Sequence, residues 1–123
     1  RRSSDLNKSA RIEQAELELL KTEATLADTK NYFLTDFEQS KRDYEKNLSA
    51  LGRRKQNVEL AEKILGVSRV KFTEGSFAMS DLLTDEISLC NAELNYLGAQ
   101  LQVLTSELNL LKSTGKLEIL LTK

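Results

Sequence analysis

The sequence contains no proline, no histidine and no tryptophan, and it has a single cysteine among its 123 residues. Proline is the residue that most strongly interrupts a helix, so its absence leaves long helices free to form. One cysteine cannot form an internal disulfide. Because Cys90 occupies an apolar position of a helical pattern, we expect it to be a buried, unreactive thiol. These absences favour one small helical unit.

An excess of either charge is also absent, because the sequence contains 18 basic and 19 acidic residues. Without a basic footprint, nucleic acid is not an expected partner. No stretch reaches the roughly 18 to 20 apolar residues that a bilayer-spanning helix needs. The chain starts at Arg1 with neither an initiator methionine nor an apolar signal segment, so we expect it to be an internal piece of a longer protein.

The chemistry of an enzyme finds no support in the sequence. The sequence has no nucleophilic residue with a partner general base, no glycine-rich loop of the kind that binds phosphate, and no spacing typical of metal ligands. We therefore expect no catalysis and no cofactor. Asp81 and Asp85 lie four residues apart on one helix face and are the best candidates for recruiting a cation, but no third ligand converges with them. The basic stretch at residues 52–55 has glutamates nearby, which favours a solvated face over a lipid or nucleic-acid patch.

The first half of the chain has one apolar stripe at helical spacing, which predicts a helix over about residues 4–72. Gly52 and Gly66 fall inside it and are interpreted as tolerated positions or close helix contacts, with a break at Gly52 as the structural alternative. The stripe changes register once, near Phe33, as coiled-coil seams do. Its members are Ile12, Leu19, Leu26 and Phe33, followed by Phe37, Tyr44, Leu51, Val58, Leu65 and Phe72.

The second half predicts a helix over about residues 77–113 with two apolar series. Thr114 and Gly115 form the expected stop. The tail, residues 114–123, is too short to decide whether it begins a strand. Two series widen the apolar face, so this helix is expected to contact more than one neighbour. The first series is Leu83, Ile87, Cys90, Leu94, Leu97, Leu101, Leu104, Leu108 and Leu111; the second is Leu82, Leu89, Tyr96, Val103 and Leu110.

Between the helices, residues 73–76 predict a tight turn. Gly75 adopts a positive φ at little steric cost, Ser76 or Ser80 is expected to cap the following helix, and Asp81 suits its first turn. The predicted fold is therefore all-α, a long antiparallel helical hairpin (coiled coil) with one long and one shorter helix. About half of the first helix would have no partner in this chain.

A set of landmarks starts at this turn and continues along the second helix. An aromatic residue, a glycine and a small polar residue are followed by Asp-hydrophobic-Leu, then by Asn-Ala with a later aromatic, and finally by Gly-x-Leu. These residues are Phe72, Gly75, Ser76, Asp81, Leu82, Leu83, Asn91, Ala92, Tyr96, Gly115 and Leu117. The pattern resembles the closing segment of the outer membrane efflux protein family, the TolC-like channels, and the long helix before it is similar to that family's long helix.

The resemblance implies an exit duct in the outer membrane of Gram-negative bacteria. Family members are homotrimers whose β-barrel continues into a periplasmic α-helical barrel, and this chain would supply part of that α-barrel. The turn of the hairpin would dock a periplasmic adaptor protein that connects the duct to an inner membrane transporter. The docking turn would comprise Phe72, Thr73, Glu74, Gly75, Ser76 and Phe77.

The resemblance also implies pore-facing gate positions just after the turn. Asp81 matches the first acidic position, while the second matches uncharged Thr84, next to Asp85. Phe77 stands where some relatives have a basic residue, and Phe72 lacks a hydroxyl, so the polar lock of the gate departs from the family pattern. The alternative function is a generic antiparallel coiled-coil structural or tethering segment, whose turn has no special role.

Overall fold

A computed structural model describes residues 1–122, and over this range the chain is an all-α helical hairpin. Helix α1 spans Arg2–Thr73 and helix α2 spans Met79–Thr122, so the predicted fold class is confirmed. The chain divides into two compact units. One comprises residues 39–112, and the other comprises residues 1–38 together with 113–123.

Helix α1 continues through both of its glycines. Neither Gly52 nor Gly66 has a positive φ, and a Cβ atom added at either position would meet nothing within 4 Å. The alternative of a break at Gly52 is therefore wrong. Each glycine leaves the helix intact because no proline or loop-forming cluster stands beside it to offer a competing conformation.

In the unit of residues 39–112, the predicted stripe of α1 forms its side of the contact with α2. Leu65 is 3% exposed, and Tyr44, Leu51 and Val58 are half-buried. The side chains that α2 turns inward belong to its second apolar series. These are Leu82, Leu89, Tyr96, Val103 and Leu110, which are buried or half-buried.

Small and polar residues alternate with these apolar residues along the same contact. Asn47 donates a side-chain hydrogen bond to Ser106 Oγ, and Ser68 Oγ donates one to the carboxylate of Asp85. Ser68 and Ser106 are buried, at 4% and 6% exposure. Buried polar groups need partners, so these two pairs specify one antiparallel register of α1 against α2.

The unit of residues 1–38 and 113–123 contains the end of α2. This helix passes through Gly115 to Thr122, so the predicted stop at residues 114–115 and the separate tail are wrong. Apolar spacing continues in Leu117 and Leu120, which are half-buried, and this packing outweighs the modest cost of one glycine inside a helix. Ser113 Oγ also donates a hydrogen bond of 2.9 Å to Asp36 Oδ2 of α1.

The start of α1 in this unit has no cover. Residues 1–28 are exposed throughout, including Leu6, Ile12, Leu19 and Leu26 at 48% to 69% exposure. Because α2 is longer than predicted, the uncovered part of α1 is shorter than the half that the sequence suggested.

Candidate functional site at the helical turn

Helix α1 ends in a Schellman motif, which is the hydrogen-bonding pattern that glycine most often closes. Gly75 has φ of 80°, and its N–H donates to the Phe72 carbonyl at 3.0 Å. The N–H of Ser76 donates to the Lys71 carbonyl at 2.9 Å. These two bonds satisfy carbonyls that the helix end would otherwise leave unpaired. The local sequence therefore reverses the chain over five residues, 74–78.

The serines predicted to cap α2 do not do so. Ser76 Oγ donates instead to the Lys71 carbonyl at 3.1 Å, so it closes the end of α1. Ser80 already lies within α2, and the residue that precedes the helix is Ala78, whose carbonyl accepts N–H bonds from Asp81 and Leu82 at 3.1 Å. Asp81 is in the first turn of α2, as predicted, where its charge complements the helix dipole.

The residues of the predicted docking turn form an exposed tip with one half-buried ring. Phe72, at 40% exposure, and Glu74 are exposed to solvent. Thr73 Oγ1 donates a hydrogen bond of 2.9 Å to the Arg69 carbonyl. Phe77 is half-buried, and the Lys71 ammonium lies 5.8 Å from the centre of its ring. This cation–π contact ties the turn to the last turn of α1.

The three predicted gate residues do not share one environment. Asp81 and Thr84 are exposed, and Thr84 Oγ1 donates within its own helix to the Ser80 carbonyl at 2.9 Å. Asp85 is half-buried between the helices and accepts the hydrogen bond from Ser68. The pair of aspartates therefore does not converge on one point, and no cluster of three metal-ligating side chains occurs within residues 1–122.

Sequence reasoning missed a groove beside the turn, and it missed the buried Ser68 that lines this groove. Three apolar side chains line it, with two lysines and the Ser68–Asp85 pair. The spacing held a signal for Ser68, because it lies three residues after Leu65 and thus at a seam position of α1. The lining residues are Lys63, Ile64, Val67, Ser68, Lys71, Phe77 and Asp85.

The clearest apolar stripe of α2 lies outside the contact with α1. In the unit of residues 39–112, its large apolar members are 47% to 63% exposed. Cys90 belongs to the same stripe and is exposed, so its predicted burial is wrong. The residue was assigned to the correct stripe, but that stripe faces away from α1. We call this set, residues 83, 87, 90, 94, 97, 101, 104, 108 and 111, the outer stripe of α2.

No protein family model matches the chain, and no match was found among curated proteins or solved structures. Within residues 1–122, neither helix combines the length and the apolarity that crossing a membrane requires.

Proposed function

We propose that this chain is the periplasmic helical part of an outer membrane efflux or export channel. In this proposal the full-length protein is a homotrimer, and the turn at Gly75 docks a periplasmic adaptor protein that links the duct to an inner membrane transporter. The observation that carries the proposal is the exposed tip of an antiparallel hairpin, closed by Gly75 in a left-handed conformation, with landmarks that resemble the TolC-like family around it.

The two apolar faces of α2 support a place in a wall of helices. At 3.6 residues per turn, the outer stripe lies about 150° around the helix from the face that contacts α1. A helix within a curved wall needs apolar faces on two nearly opposite sides, because each helix packs against two neighbours. A two-helix tether would need only one such face.

One observation favours the alternative, a generic antiparallel coiled-coil structural or tethering segment. Asp85 is paired with Ser68 between the helices, where it supports the hairpin itself. Among the predicted gate positions, Asp81 is then the acidic residue left for a pore. The proposed gate therefore depends on Asp81, with Thr84 as its uncharged neighbour.

The docking role is tested in the full-length channel protein that carries this segment. Gly75→Asn keeps the left-handed conformation accessible and adds a side chain at the tip, while Gly75→Leu adds both bulk and backbone strain. We expect both variants to assemble as trimers but to recover less cross-linked adaptor and to show less dye efflux from whole cells. Gly52→Leu, an exposed helical position far from the tip, is the matched control.

Unchanged adaptor recovery and efflux in both Gly75 variants would count against docking at this turn and favour the structural alternative. The gate is tested separately by the ion conductance of the closed duct in a planar bilayer. Asp81→Lys should change that conductance, and an unchanged value would remove Asp81 from the pore.

A further inference from the structure

Two adjoining grooves lie on the hairpin in the unit of residues 39–112. Both are lined by Ala50 and Arg54, so we describe them together as the arginine groove. The larger, of about 430 Å³, is formed by α1, and the smaller, of about 280 Å³, lies between α1 and α2. These volumes suit a small molecule. Arg54 precedes Thr73, the end of α1, by about 28 Å of helix, so the groove is separate from the turn.

The arginine groove opens where small residues of α2 stand opposite a long residue of α1. The antiparallel register of the two helices places Arg54 level with Ala99. Arg54 follows Asn47 by seven residues and therefore belongs to the same face of α1, yet Arg54 is exposed whereas Asn47 is half-buried. Gly98 and Ala99 are too small to cover the side chain of Arg54. The contact between the helices therefore leaves space beside a guanidinium group.

The side chains that line the arginine groove are suited to an anion. They comprise the guanidinium groups of Arg53 and Arg54, five side-chain amides and three small residues, with no aspartate or glutamate among them. The glutamates close in sequence to residues 52–55 lie outside this lining. Within residues 1–122, the ion pair that forms joins Arg69 to Glu86, so neither guanidinium group of the groove has a carboxylate partner. Two positive charges thus face the groove without a counter-charge from the chain.

The kinds of side chain also indicate which anion fits. A guanidinium group presents a planar fork of N–H donors that matches a phosphate or a carboxylate. Two such groups balance the charge of a phosphate monoester, about two negative charges at neutral pH, better than the single charge of a carboxylate. Each amide offers a donor and an acceptor, as hydroxyl groups of a ligand require. Because large apolar and aromatic side chains do not occur in this lining, the ligand is expected to be hydrophilic.

We propose that the arginine groove binds a polyhydroxylated phosphate ester of the sugar phosphate class. The phosphate group pairs with Arg53 and Arg54, and the amides hydrogen-bond the hydroxyl groups. Asn95 and Gln102 belong to α2, so a bound ligand contacts both helices and stabilises the hairpin. The proposal goes beyond the proposed function, because the groove lies away from the turn and would act in a hairpin of any function.

Isothermal titration calorimetry of the whole chain with glucose 6-phosphate tests the ligand class. The buffer is free of phosphate and of low ionic strength, because salt screens exposed charges. We expect one binding site per chain. Inorganic phosphate and gluconate should each bind at least about tenfold more weakly, because the first lacks the hydroxyl groups and the second carries a single charge. Glucose should give no measurable binding.

The same titrations can overturn the proposal. Inorganic phosphate that binds as tightly as glucose 6-phosphate would contradict recognition of the hydroxyl groups, and gluconate that does so would contradict recognition of the phosphate. The proposal would also fail if millimolar glucose 6-phosphate produced neither heat nor a rise in the thermal unfolding midpoint of the chain.

Arg54→Gln tests the guanidinium group that both parts of the groove share. It should weaken the binding of glucose 6-phosphate at least about tenfold, because it removes charge-assisted hydrogen bonds. Lys55→Gln is the matched control, since it removes the same charge from the next exposed residue, which does not line the groove. Lys55→Gln should change the affinity less than about twofold. Equal losses in the two variants would indicate diffuse attraction to a basic helix and would contradict a defined site.

Gly98→Leu tests the groove without any change in charge. An added Cβ at Gly98 would meet nothing within 4 Å, so α2 can accept the side chain, which then fills space opposite Arg54. We expect binding to weaken at least about tenfold, with helical content unchanged by circular dichroism. Gly52→Leu, outside the lining, is the control and should bind as the wild type does. Full affinity in Gly98→Leu would place the ligand elsewhere and overturn the proposal.

Discussion

Replacing Gly75 by alanine tests the turn that makes this chain a hairpin. Gly75 is the only residue with positive φ among those described, at 80°, and its N–H and that of Ser76 close the end of α1. Space is not the obstacle, because an added Cβ would meet nothing within 4 Å. The penalty therefore comes from the backbone conformation alone.

The magnitude follows from the cost of the left-handed region. An L-residue with a Cβ pays about 1–2 kcal/mol there, which exceeds what alanine gains by restricting the unfolded chain. We expect Gly75→Ala to lower the free energy of unfolding by about 1 kcal/mol. Gly52→Ala has equal space but lies inside α1, so it should raise that free energy by about 1 kcal/mol.

Urea unfolding followed by far-UV circular dichroism measures both variants, at several protein concentrations because the proposed function implies contacts between copies. With a slope of about 2 kcal/mol per molar urea, each midpoint should move by about 0.5 M, in opposite directions. Gly75→Asn should lose less than Gly75→Ala, because asparagine tolerates the left-handed region. A Gly75→Ala variant as stabilised as Gly52→Ala would refute the left-handed turn.

Three further predictions concern stability, all measured by the same urea unfolding. Asn47→Ala should cost about 1–2 kcal/mol, because it leaves a buried serine hydroxyl of α2 without its donor. Asp85→Ala should cost about 1–2 kcal/mol, whereas exposed Asp81→Ala should cost about 0.3–0.5 kcal/mol through the helix dipole; equal losses would contradict the inward position of Asp85. Val103→Lys should cost about 2–3 kcal/mol, because it buries a charge between the helices. Leu101→Lys on the exposed outer stripe should change stability by less than about 0.5 kcal/mol.

The hairpin itself was predictable from the sequence, for reasons that are local. The absence of proline allows α1 to continue without a break, and the seven-residue spacing of Tyr44, Leu51, Val58 and Leu65 defines the face of α1 that contacts α2. Gly75 is the glycine that stands next to other turn-forming residues, and it is where the chain reverses. The docking and gate roles of the residues around it remain predictions.

The end of α2 was not predictable from the same local signals. Thr114 and Gly115 form a reasonable helix stop by composition, but the helix continues to Thr122. Leu117 and Leu120 lie half-buried beyond that point, and tertiary contacts of this kind outweigh about 1 kcal/mol of helix propensity. A glycine that lacks a following proline is thus a weak stop when apolar spacing continues after it.

The sequence also did not decide which apolar series of α2 faces α1, and polar pairing supplies the reason for the outcome. The inward face of α1 includes Asn47 and Ser68, which need hydrogen-bonding partners once they are covered. If the outer stripe of α2 faced α1, leucines would cover both groups and leave the Asn47 amide unpaired, at about 1–3 kcal/mol, while Ser68 Oγ would keep only the Ile64 carbonyl of its own helix, 3.0 Å away. The second series has Asp85 and Ser106 at the matching levels, so it can bury apolar surface and satisfy these groups together. The larger leucine series is thereby left for contacts outside this hairpin.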